Sequence, residues 1–133
     1  MNHLETIDLA PVRHAPRLAR TFTAETLARW SVGGEDVDAV RLVVSELVAN
    51  AVRHARASQW ITLELSRHDD VVRVMVSDES TSPPEPGDLT SQTAEGGRGV
   101  ELVDALADRW GSEPRRGGKT VWCELRATPR IEV

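Results

Sequence analysis

Glu46 and Asn50 stand four residues apart in a run whose apolar positions, Val40, Val43, Val44, Leu47, Val48 and Ala51, recur at helical spacing. Four residues along an α-helix bring two side chains to about 40° from each other on one face. A carboxylate so placed can orient an attacking hydroxyl or water, and an amide oxygen is a hard donor suited to Mg2+. Both residues fall at the margin of the apolar stripe and should point at the edge of a cleft. An ordinary amphipathic helix with two polar residues at its border shares this spacing. His54, one turn further on, has no His, Cys or carboxylate at ligand spacing and reads as a helix-end histidine facing the negative end of the dipole.

Three further groups carry possible chemistry. Asp78 closes an apolar alternating run, and there it could either accept a hydrogen bond from a ligand's amino group or simply start a turn. Gly96-Gly97-Arg98-Gly99 stands directly before a helical pattern; glycines let a backbone approach an anion, and the N–H groups of a helix start point at it. A flexible hinge has the same composition. Gly117-Gly118-Lys119-Thr120 imitates the close of a P-loop, but the first glycine of that motif would fall at Glu113, and a strand, not a helix, follows.

The elements that must hold these residues are legible from periodicity. A first strand is expected over His3 to Leu9, then a helix opened by Pro16 and stopped by Gly33-Gly34. The Glu46 helix should be capped by Asp36 and run to His54. Two alternating runs, Trp60 to Leu65 and Val71 to Val76, predict an antiparallel hairpin around a turn at Arg67 to Asp70. Positions 77–99 are rich in Pro, Gly, Ser and Thr, which in a compact domain marks a functional or mobile loop. A helix opened by Gly99 carries Val100, Leu102, Val103, Leu106 and Ala107; strands near Arg109 to Ser112 and Lys119 to Leu125 turn at Arg116-Gly117-Gly118. This order predicts an α+β (α/β) two-layer sandwich, its mixed, largely antiparallel sheet covered on one face by three helices.

Composition narrows the class. With 133 residues the chain suits a single domain over positions 1–133. At 40% hydrophobic and 28% charged it is not disordered, and no apolar run approaches a membrane span. A net charge of −5, with fifteen scattered arginines and one lysine, argues against direct nucleic-acid binding, which wants a basic face. The lone Cys123 sits in an apolar run as a small buried hydrophobe. The N-terminus has neither the charged start nor the apolar stretch of a signal peptide, so the expected location is cytoplasmic.

Taken in order, these pieces resemble the histidine-kinase-like ATPase (GHKL, Bergerat-fold) superfamily. Ser45-Glu46-Leu47-Val48-Ala49-Asn50-Ala51-Val52-Arg53-His54 resembles its N box, Asp78 after a hairpin its aspartate box, and Gly96-Gly97-Arg98-Gly99-Val100 its glycine-rich box. The small size and the Asn-Ala-x-x-His ending are similar to the anti-sigma-factor serine kinases. The resemblance implies ATP and Mg2+ as cofactors. Glu46 would be the general base, and Asn50 the ligand of a Mg2+ that bridges the phosphates. Asp78 would bind the adenine amino group with Thr120 supporting it. Gly97, Arg98, Gly99 and Val100 would lie at the phosphates, with positions 79–95 as the lid. It also implies a sigma factor and an anti-sigma antagonist as partners, and a possible homodimer. One departure stands out: the family's aspartate box reads Asp-x-Gly, whereas here Asp78 is followed by Glu79 and Ser80. A Cβ at position 80 narrows the room for a nucleotide. It motivates the alternative of a weak or inactive nucleotide-binding interaction switch of the same fold.

Overall fold

The computed structural model describes residues 2–54, 60–79 and 97–127, with positions 97–101 described through their backbone. In chain order the elements are β1 (Asn2–Leu9), α1 (Ala15–Arg29), α2 (Gly34–His54), β2 (Ile61–His68), β3 (Val71–Asp78), α3 (Gly97–Leu106), β4 (Arg109–Arg115) and β5 (Gly118–Arg126). The strands form one sheet in the order β1-β2-β3-β5-β4. Every described pairing is antiparallel, so the expected mixed sheet is corrected to a fully antiparallel one. β2–β3 and β4–β5 are hairpins, β1 pairs with β2 across the connection through α1 and α2, and β5 lies between β3 and β4.

Two-residue alternation separates the faces of the sheet. Ile61, Leu63 and Leu65 of β2, Val72, Val74 and Val76 of β3, and Val121, Cys123 and Leu125 of β5 are buried in one core. Val43, Val44, Leu47 and Val48 of α2 close that core from above. α2 packs on β2, β3 and β5, while α1 packs chiefly against α2. The other face carries polar groups, among them Glu64, Arg73 and Glu124, around Trp122. The Trp122 ring lies beneath the guanidinium carbons of Arg73 and Arg109, at 5.1 and 5.6 Å, and a Cβ on Gly111 would meet the ring at 2.9 Å.

Several boundaries differ from the sequence expectation. α1 ends at Arg29, ahead of Gly33-Gly34, because Ser31 supplies the left-handed residue itself, with φ 59°. Ser31 N–H then donates to the Ala28 carbonyl (3.1 Å) and Val32 N–H to the Leu27 carbonyl (3.0 Å), the paired bonds of a Schellman ending. Gly34 consequently opens α2, and Asp36 sits within its first turn. Strands β2, β3, β4 and β5 all run further than expected, and the β2–β3 turn shrinks to Asp69-Asp70. Arg67 makes that extension possible: its side chain is buried, its Nε donates to the Asp69 carbonyl at 2.9 Å, and its Nη1 donates to the Trp30 carbonyl.

Candidate functional site

The long helix α2 presents Glu46 half-buried and Asn50 almost fully buried, at 3% exposure. Asn50 thus enters the interface between the layers more deeply than a place at the stripe margin predicts. Its Oδ1 accepts a long hydrogen bond, 3.4 Å, from Arg53 Nη2 one turn on. A buried amide needs partners for both its carbonyl and its NH2 group, so a weak intrahelical bond leaves capacity for a ligand. Across the helix pair, Arg20 Nη1 donates to Ser45 Oγ at 2.8 Å, which fixes the rotation of α2 just before Glu46.

Asp78 is the last residue of β3 and is 6% exposed. It shares the parity of Val72, Val74 and Val76, so its side chain leaves the strand on the helix-facing side. The neighbouring strand approaches it closely. A Cβ built on Gly118 would lie 1.8 Å from the Asp78 carbonyl oxygen, so only glycine fits there. In register Asp78 opposes Lys119, and Ser77 opposes Thr120. The Thr120 hydroxyl lies 2.8 Å from Ser77 Oγ, on the face away from the helices. Thr120, expected to support Asp78 from nearby, meets the residue before it in β3, Ser77. Lys119 takes the place on Asp78's own face. The signal was present in the sequence: counting back by twos from Leu125, Cys123 and Val121 arrives at Lys119.

The glycine-rich segment opens α3, which starts at Gly97 instead of Gly99. Gly97, Arg98, Gly99 and Val100 therefore form its first turn, where backbone N–H groups have no intrahelical acceptor. Gly96, Ser80 and the expected lid beyond Glu79 lie outside the described residues. Glu79 Oε1 accepts from Trp60 N–H at 3.0 Å, tying the exit of β3 to the entry of β2. The false P-loop is excluded, since β5 follows directly.

A hollow of about 190 Å3 borders Asp78, between Thr62, Ser77, Glu79 and Gly117. A larger one, about 690 Å3, lies at the opposite end of the sheet against His3, Trp30, Arg67 and Asp69. Neither Asp78 nor Asn50 borders the larger hollow, so residue chemistry and not volume points to the site. Among the described residues no three His, Cys, Asp or Glu side chains gather to hold a metal. The buried Asn50 side-chain carbonyl is a hard oxygen donor of the kind Mg2+ takes.

Known proteins decide the family. The model of the histidine kinase-like ATPase domain matches residues 9–125. The chain belongs to that family. Within it, the serine-protein kinase RsbW of Oceanobacillus iheyensis is 27% identical over 105 residues, 68% of this chain and 66% of that protein. RsbW of Listeria innocua is 29% identical over 105 residues, 68% and 67% of the two chains. The aligned stretch thus spans just under two thirds of the Oceanobacillus protein. The solved RsbU and RsbW domains of a Mycobacterium tuberculosis protein superpose with a TM-score of 0.73 at 23% identity, over 96% of this chain and 32% of that one. This histidine kinase-like ATPase chain shares their α+β fold. No helix among its described residues is long and apolar enough to cross a membrane.

Proposed function

We propose that this chain is an ATP-binding anti-sigma regulator that phosphorylates a serine or threonine on an antagonist protein. The observation that carries the reading is the buried Asn50 amide on α2, a helix packed against the strand that ends in buried Asp78. Family membership and the similarity to RsbW support it. In this reading Asp78 accepts from the adenine amino group, and Thr120 steadies Asp78 through Ser77. The first turn of α3, with Gly97, Arg98, Gly99 and Val100, meets the phosphates. Mg2+ would be held by Asn50, where it neutralises phosphate charge. Glu46, one turn before Asn50, accepts the proton of the attacking hydroxyl. Phosphoryl transfer needs chiefly positioning and charge neutralisation, so this short set suffices.

The partners in this reading are a sigma factor and the antagonist it phosphorylates. Positions 1–133 act as one cytoplasmic domain, capable of pairing with a second copy, and regulate transcription through proteins, since a net charge of −5 offers no general nucleic-acid surface. Incubation with labelled ATP and candidate antagonists tests the activity. Serine phosphate should appear with wild type and fall by about 100-fold or more in Glu46→Ala, the loss typical of a general base. A second reading is an interaction switch that binds nucleotide without transferring phosphate. Ser80 in place of the aspartate-box glycine favours it. Antagonist binding that responds to ATP with no phosphoserine formed would establish it over the first.

A further inference from the structure

The hollow of about 690 Å3 at the other end of the sheet is lined by His3, Arg29, Trp30, Arg67, Asp69 and Asp70 among others. Its volume is that of a small-molecule site. β3 runs from beside Asp70 to Asp78, so about 25 Å of strand separates this hollow from the nucleotide site proposed above. Arg67 is the group there that asks for a ligand. It is 7% exposed, and it donates through Nε to the Asp69 carbonyl (2.9 Å) and through Nη1 to the Trp30 carbonyl, both neutral acceptors. Among the described residues no carboxylate forms an ion pair with it: Glu5 lies 3.8 Å from Arg29, Asp70 3.4 Å from Arg126, and Asp69 3.6 Å from His68. An enclosed guanidinium without a countercharge at hand is costly, and an anion beside it offsets that cost. Nη2 makes no hydrogen bond among the described residues and is not one of the fully buried unpartnered atoms, so it is reached from the hollow. The wall next to it is aromatic. His3 opposes Arg67 across the β1–β2 pair and so projects to the same face, and its ring stacks on Trp30 with centroids 5.2 Å apart.

The geometry points to a second ligand site, one that takes a small aromatic carboxylate. The carboxylate accepts from Arg67 Nη2, and the flat body of the ligand lies against the His3–Trp30 stack, along a lining that is mostly carbon surface. A single negative charge suits the site better than a phosphate monoester, whose second charge would be brought close to Asp69 and Asp70. Trp30 closes α1, and Asp69-Asp70 make the β2–β3 turn, so the ligand joins the helix layer to the sheet at this end. None of this depends on the ATP-site reading.

The test titrates the full chain with cinnamate and with cinnamamide, its uncharged counterpart of the same shape, and follows the Trp30 and His3 ring signals by NMR. Wild type should bind cinnamate about tenfold or more tightly than the amide, the size expected for a hydrogen bond between charged groups. Arg67→Met should bind both compounds alike. His3→Ala, on an edge strand, should weaken both by a similar factor, because it removes the stacking wall and leaves the charge. Saturating Mg2+-ATP should leave the cinnamate affinity unchanged. Equal binding of acid and amide by wild type overturns the proposal. So do binding that His3→Ala does not weaken, displacement of cinnamate by Mg2+-ATP, and absence of binding at millimolar concentration. The wild-type comparison and His3→Ala decide the matter if Arg67→Met does not fold.

Discussion

Asn50, Asp78 and Lys119 are polar side chains in places where burial has to be offset by partners. Cys123 is the contrasting case, since its neighbours give it nothing to ionise for. Burial, reinforced by the nearby Glu124 carboxylate, pushes its thiol from 9.0 up to about 12, against a smaller opposing effect of a backbone hydrogen bond at Val74. The thiol is inert as a nucleophile in the folded protein. Native protein at pH 8 should resist a thiol reagent, and denatured protein should react fully. The sign of the linkage follows from the raised value. The unfolded thiol loses its proton near pH 9 and the folded one near 12, so this contribution is complete below pH 9 and is lost as pH rises toward 12. Urea titrations across that range should show a fall in stability that is reduced in Cys123→Ala.

At the scale of elements, the end of α1 shows how hydrogen bonds override a simple stop signal. Gly33-Gly34 is the obvious stop, yet the chain turns at Ser31 and uses Gly34 to begin α2. The two closing bonds and the burial of Leu27 and Val32 hold Ser31 in a conformation that costs a side-chain residue about 1–2 kcal/mol. Ser31→Gly should therefore raise stability by roughly 0.5–1 kcal/mol, measured by chemical denaturation, because glycine adopts that φ without a Cβ clash. A loss of stability would show that the Ser31 side chain contributes contacts of its own. The termini of α2 agree with its dipole, with Glu35 and Asp36 in the first turn and Arg53 and His54 in the last.

The whole molecule joins two layers through one core, and the proposed site lies where that core meets the end of β3. A ligand held there from both layers, by Asn50 on α2 and Asp78 on β3, binds only the folded chain and must stabilise it. Mg2+-ATP at a hundred times its dissociation constant should add about 2.7 kcal/mol, a rise of several degrees in the melting temperature. Asn50→Ala should lose most of that rise at the same concentration. A rise of equal size without Mg2+, or an undiminished one in Asn50→Ala, would place the nucleotide elsewhere.

Much of this protein was legible in its residues. The 3.6-residue period of Val40 to Ala51 and the two-residue period of the strands follow from backbone geometry alone, and they located α2, the hairpins and the helix-facing side of the sheet. The order of Glu46, Asn50, Asp78 and the glycine segment sufficed to name the family. Strand register was beyond it. Which residue of β5 stands across from Asp78 depends on how β3 and β5 align, and that alignment is set by the tight passage of Gly118 over the Asp78 carbonyl. A shift of one residue moves every side chain to the opposite face. Resemblance alone set Thr120 near Asp78 and assigned Lys119 no place there; the tertiary pairing put Lys119 on the face of Asp78 and Thr120 against Ser77.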